Sequence, residues 1–139
     1  MSETNNDQMN RWNEMAEQAK ASFWGYLGCE LVRVDEYETV VKLKVEPHHL
    51  NMIGIVHGGV LSSLLDNTMG IAAAAARPNA NVVTSNLNVH FVHPLKGGTL
   101  EVRAHVVSAT TRMLTLYGTV TDDQGRLGTM GTGTFVAKG

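Results

Sequence analysis

Residues 51 to 70 read NMIGIVHGGVLSSLLDNTMG, and Asp66 is the one acidic side chain among them. On a 3.6-residue wheel Gly59, Ser62, Ser63, Asp66 and Gly70 fall on a single stripe of small and polar residues, opposite Leu61, Leu64, Leu65 and Met69. Nothing on that stripe can form an ion pair with Asp66, and a buried carboxylate without a cation is costly. Such a group offers general-base or nucleophilic chemistry at a carbonyl.

The partner chemistry lies at the other end of the same segment. His57, Gly58 and Gly59 open the expected helix, where the first turn has unsatisfied N–H groups and the positive end of the helix dipole. Glycine removes the side chains that would keep a ligand from those donors, so the turn is a candidate oxyanion hole. Gly58 or Gly59 and Asp66 are nonetheless ~10–12 Å apart along one helix, too far to serve one carbonyl. Two copies facing each other would bring the glycine turn of one to Asp66 of the other, so the spacing argues for a two-fold dimer with two composite sites. Each feature also has a plain structural alternative. Asp66 could bond a neighbouring hydroxyl or amide, His57 could fix the preceding loop, and the glycine pair could be a tight helix entry.

The elements that must position these groups can be read outward from the segment. Pro78 and the ARPNAN run end the helix, which gives about 19 residues and roughly 28 Å, enough to cross a whole sheet. The stripe of leucines and the alanines from Ala72 to Ala76 predict a helix buried nearly all round. Upstream, Met9, Trp12, Met15, Ala16, Ala19 and Phe23 recur at helical spacing, which predicts a short amphipathic helix at about 8–23. Residues 31–45 read as a strand or hairpin. Four strand-like segments follow the long helix, at 82–93, 99–109, 112–121 and 127–137, and LKGG, ATT and DDQGR between them have the residue types of hairpin connections. In TLEVRAHVVSA, Leu100, Val102, Ala104 and Val106 face one way and Glu101, Arg103 and His105 the other. One long helix with about five antiparallel strands is an α+β layer, and the sheet must curl around the helix to cover it.

A chain of 139 residues, 43% hydrophobic and 17% charged, is the size and composition of a single domain spanning 1–139. A net charge of −2 gives no global attraction to nucleic acid or to anionic membrane. The N-terminal stretch has neither the basic nor the apolar region of a signal peptide, and no window approaches a membrane span of ~20 apolar residues. The single cysteine, Cys29, reads as a small buried hydrophobe in a reducing compartment, which points to the cytoplasm. His48, His49, His90, His93 and His105 have no ligand spacing, so no metal is expected.

The pattern N-x-x-G-x-x-H-G-G-x6-D, formed here by Asn51, Gly54, His57, Gly58, Gly59 and Asp66, closely resembles the signature of hotdog-fold acyl-CoA thioesterases, in particular their phenylacetate-degradation (PaaI-like) branch. LGCELVRV before the loop and NLNVHFVHPLKGGTLEVRAHVV after it extend the resemblance over residues 23–137. It implies a hotdog fold, a curved antiparallel sheet wrapped around one long central helix, and an enzyme that hydrolyses an acyl-CoA thioester. By that resemblance Asp66 is the catalytic carboxylate, general base or nucleophile, and the Gly58 amide polarises the carbonyl. Asn51 positions water or carbonyl, and His57 holds the loop and the turn. A hydroxyl from the strand after the helix assists, and alignment through NLNV puts Thr84 there in preference to Ser85. The resemblance further implies a homodimer assembled into a tetramer, with coenzyme A entering only as part of the substrate and no other cofactor.

Arg77, Lys96, Arg103, Arg112 and Arg126 are candidates for the coenzyme A phosphates, and Met52, Ile53, Met69, Leu87 and Phe91 for an acyl pocket to which both subunits contribute. Two other readings of the same residues are a hotdog dehydratase or hydratase and a non-catalytic acyl-CoA binding protein. The first would place a catalytic histidine with a different partner pattern. The second would lack the carboxylate.

Overall fold

Leu61, Leu64, Leu65, Thr68, Met69, Ala72 and Ala73 recur at helical spacing and are all buried along helix α3, Gly58–Ala76. In the computed structural model, which describes residues 5–139, this helix is the axis around which everything else is arranged. Helix α1, Asn5–Gln18, and the short α2, Phe23–Leu27, precede strands β1, Glu30–Val34, and β2, Thr39–Lys44. Strands β3, Asn81–Phe91, β4, Thr99–Ala109, β5, Met113–Thr121, and β6, Leu127–Lys138, follow α3. All six strands join one antiparallel sheet in the order β1-β2-β4-β5-β6-β3. The sheet curves over α3, which is the hotdog arrangement. Residues 31–45 are a hairpin, so the sheet has six strands where about five were expected.

The concave face supplies the core, with Val41, Leu43, Leu100, Val102, Ala104, Leu114, Leu116 and Phe135 packing on the buried face of α3. Leu100, Val102 and Ala104 are buried as the alternation predicts. The helix can lie this close because the strands beneath it carry glycine: a Cβ on Gly133 would stand 2.8 Å from the Met69 sulfur.

Three expectations are corrected. Strands β3 and β4 do not form a hairpin. Instead β3 pairs with β6 at the far edge of the sheet, and the chain through LKGG crosses over to β4. Pro94 has no N–H with which to extend a ladder, and Leu95 is buried at 2% exposure, its carbonyl accepting the Val56 N–H at 2.7 Å. That anchored side chain makes the segment a crossover and not a turn. The N-terminal helix expected at about 8–23 ends at Gln18, and the chain turns through Ala19–Ala21 to an extended Ser22 before α2 begins. Gly25 lies so close to the Lys20 carbonyl that a Cβ would stand 1.9 Å from its oxygen, a contact that a single continuous helix would not make. Lastly, α3 is not buried all round. Ser62, Ser63, Asp66, Asn67 and Gly70 are only half-buried, because the sheet covers one side of the helix and β3 stands at its edge.

Candidate active site

The helix start is built by the loop before it. Asn51 Oδ1 accepts the N–H groups of Ile53 at 3.0 Å and Ile55 at 3.2 Å, closing a tight loop over Asn51–Ile55. His49 is 1% exposed and ties this region down: its Nδ1 accepts the Glu46 N–H at 2.9 Å, its Nε2 pairs with the Leu27 carbonyl at 2.7 Å, and its own carbonyl accepts the His57 N–H at 2.8 Å. His57 is the N-cap of α3, and its Nδ1 accepts the Gly59 N–H at 2.8 Å. An unprotonated Nδ1 is the tautomer this bond requires. The Gly59 donor is thus taken up inside the chain. The Gly58 amide has no acceptor among the described residues, so Gly58, and not the pair, is the donor available to a ligand.

Asp66 lies two turns further along α3. Its Oδ1 accepts the Thr84 hydroxyl at 2.7 Å, and no cation pairs with it among the described residues. Ser85 turns away and donates to the Thr134 carbonyl at 3.2 Å. A bulge between Thr84 and Asn86 makes this possible. Val82 and Thr84 face the helix before it, Leu87 and Val89 face the core after it, and the parity change falls at Ser85.

Asp66 and Thr84 open onto a cleft of about 400 Å³ between α1, α3 and β3. Trp12 and Met15 from α1, with Trp24, Ile71, Val82 and Phe135, supply most of its wall. None of the residues expected to line an acyl pocket shared by both subunits borders this cleft within one chain. Met69 is fully buried in the core, Leu87 packs against the core, and Met52, Ile53 and Phe91 are exposed, with the Phe91 ring beside Gly58. The amphipathic stripe of α1 was the available signal, because a short helix half apolar on one face must lie on something.

Two of the five candidate phosphate ligands are committed elsewhere. Arg77 donates to the Ala76 carbonyl at 2.8 Å and the Thr110 carbonyl at 2.6 Å, tying the end of α3 to the β4–β5 turn, and Arg103 pairs with Glu38 and Glu101. Among the described residues no group of three or more His, Cys, Asp or Glu side chains could hold a metal ion, and no helix is long and apolar enough to cross a membrane. Cys29 is buried, and burial pushes its thiol up to about 11.

With this geometry in place, the comparisons with known proteins fall into line. The thioesterase superfamily model matches residues 53–129, from the loop before α3 into β6. The chain is 32% identical over 78 residues to human acyl-coenzyme A thioesterase 13, a match over 55% of this chain and 56% of that protein. Among solved structures, a phenylacetic acid degradation-related protein from Ralstonia eutropha JMP134 superposes with a TM-score of 0.76 at 28% identity, over 81% of this chain and 87% of that one. The E. coli PaaI protein shares the fold at a TM-score of 0.83 and 23% identity, over 92% of this chain and 93% of its own.

The chain belongs to the thioesterase superfamily and has the hotdog fold. It is a thioester hydrolase by class.

Proposed function

We propose that the protein hydrolyses an acyl-coenzyme A thioester at a site shared between two copies, with Asp66 as general base. The observation that carries this reading is Asp66 itself: a carboxylate with no cation paired to it among the described residues, bonded to Thr84 at 2.7 Å, at the end of an apolar cleft. Thr84 fills one lone-pair direction of Oδ1 and fixes the carboxylate plane, leaving Oδ2 to take a proton from water.

The steps balance with few groups. Asp66 removes a proton as the water oxygen bonds to the thioester carbon, and negative charge builds on the carbonyl oxygen. The Gly58 N–H of the facing copy stabilises that charge, and Asn51, whose Oδ1 is held by the Ile53 and Ile55 amides, retains its Nδ2 donors for the same carbonyl. Collapse breaks the carbon–sulfur bond. A thiolate with a pKa near ~8.5 leaves without prior protonation, and Asp66 returns its proton to the thiolate or to water. No resident cofactor or metal is needed.

The dimer is supported by the edge position of β3 and by the half-buried stripe of α3 beside it. An eleven-residue strand with a free edge is a ready template for a second copy. A lone reduced thiol fits the cytoplasm, where coenzyme A thioesters are handled. The test is thiol release from a panel of acyl-CoAs. Asp66→Asn should bind a non-hydrolysable thioether analogue as well as wild type and turn over at least ~10²-fold more slowly. Undiminished turnover in that variant would refute the role of Asp66.

A further inference from the structure

The cleft beside Asp66 has a direction. Its lining on α3 begins at Asp66 and continues through Gly70 to Ala74, residues spaced four apart on one face. From the carboxylate to Ala74 is eight residues, ~12 Å along the helix axis. Gly70 and Ala74 leave this face open, while Trp12 and Met15 of α1 and Ala19 in the turn after it roof it and Val82 and Phe135 wall it. Asp66 is the only ionisable group among the described residues that line it.

We infer that this channel is a length gauge for an unbranched, uncharged acyl chain, with α3 as the ruler and Gly70 and Ala74 as its marks. The inference rests on the thioesterase reading for what lies at the Asp66 end and goes beyond it by naming the substrate class. An extended chain advances ~1.2 Å per bond, the same zigzag that gives ~3.6 Å over the three backbone bonds of a residue, so ~12 Å holds roughly ten bonds. The volume agrees, since about 400 Å³ lies at the lower end of the ~300–1,000 Å³ usual for small-ligand sites. An acyl group ending in a second carboxylate would meet no cation here and would face Asp66 instead, so dicarboxylic thioesters are excluded on charge. Helix α1 has no fully buried residue, and Met15 is 54% exposed, so the roof of the cleft stands at the surface of the molecule.

The two marks can be moved. A Cβ on Gly70 would come no closer than 3.7 Å to Phe135, an ordinary contact, and replacing a mid-helix glycine favours the helix. Gly70→Leu should therefore fold and block the channel one turn from Asp66. Ala74→Phe should block it two turns away.

The experiment measures kcat/KM for straight-chain acyl-CoAs from two to sixteen carbons, with succinyl-CoA and an arylacetyl-CoA alongside. Wild type should peak at roughly eight to ten carbons, fall at least tenfold by sixteen, and leave succinyl-CoA unhydrolysed. Ala74→Phe should move the peak down by about four carbons and Gly70→Leu by more, one helical turn being ~5–6 Å. Because the readout is a ratio between substrates, a general loss of folded protein does not imitate it. The same question is put to binding with S-alkyl-CoA thioethers of two to sixteen carbons. The two tryptophans of the chain, Trp12 and Trp24, both line the cleft, so their fluorescence reports its occupancy. If wild type binds the thioethers but turns over no thioester, the hydrolase reading falls and the gauge is judged by these affinities alone. Equal preference across chain lengths, a profile unmoved in both variants, or an arylacetyl optimum that Ala74→Phe leaves in place would overturn the gauge.

Discussion

Thr84, on the edge strand, donates its hydroxyl to Oδ1 of Asp66, on the central helix, across 2.7 Å. The bond joins α3 to β3 at the apolar cleft and fixes the orientation of the carboxylate. A hydrogen bond to a charged group contributes about 1.5–3 kcal/mol, so its loss in the transition state should slow catalysis roughly 10- to 100-fold. Thr84→Val keeps the shape and removes the hydroxyl; it should show that drop in kcat with KM nearly unchanged. Thr84→Ser should recover most of the rate. Equal kcat in wild type and Thr84→Val would leave the hydroxyl a purely structural tie.

His57 is an unusual N-cap, since the preferred caps are Ser, Thr, Asp and Asn. Its Nδ1 does their work by accepting the Gly59 N–H at 2.8 Å. His57→Ala removes that acceptor and should cost about 1 kcal/mol, a fall of roughly 4 °C in Tm for a chain of this size. His57→Asn, which restores a side-chain acceptor, should regain most of the loss in thermal melts. A melting temperature that is the same in all three proteins would show that the cap contributes nothing.

Cys29 bears on alkaline stability. Burial raises its thiol from an ordinary 9.0 to about 11, while a hydrogen bond from Asn67 Nδ2 at 3.9 Å pulls weakly the other way. The folded state therefore holds the proton more tightly than the unfolded chain does. The resulting stability is fully present below pH 9 and is lost as the pH rises toward 11. Urea midpoints compared between wild type and Cys29→Ala should run parallel from pH 7 to 9 and then diverge, with wild type falling faster. Parallel curves to pH 11 would contradict the shift. In the same protein iodoacetamide should react with Cys29 far more slowly before unfolding than after it.

The parts of this molecule that were legible in sequence are those governed by local periodicity. His57 and Pro78 bounded α3 at its two ends, the alternation in β4 named its buried face, and the Gly-Gly-to-Asp66 spacing raised the two-copy question. The failures share another cause. LKGG looks like a turn, but whether Leu95 is buried beside Gly128 depends on a crossover that no local window contains. Spacing alone leaves Gly58 and Gly59 equivalent, the resemblance points to the Gly58 amide, and in the fold the His57 ring takes up the Gly59 N–H. The cleft wall was missed because Trp12, Ile71 and Phe135 come from three elements far apart in the chain, and their meeting is a property of the assembled fold.

The composite site makes the most exposed prediction. Gly58 and Asp66 stand eight residues apart on one helix, ~12 Å, so a single chain cannot apply both to one carbonyl. In a two-fold dimer each site would take Gly58 from one copy and Asp66 from the other. Asp66→Asn destroys the base. Gly58→Val covers the free amide and also crowds the Phe91 ring, which a Cβ there would approach to 3.2 Å. Each variant alone should be inactive. A heterodimer of the two holds one site with both groups intact and one with neither, and random exchange makes half of all dimers heterodimers. Unfolding and refolding the two variants together should therefore restore about a quarter of wild-type thiol release. Had both groups served the same carbonyl from one chain, every site in the mixture would lack one of them and no activity would return.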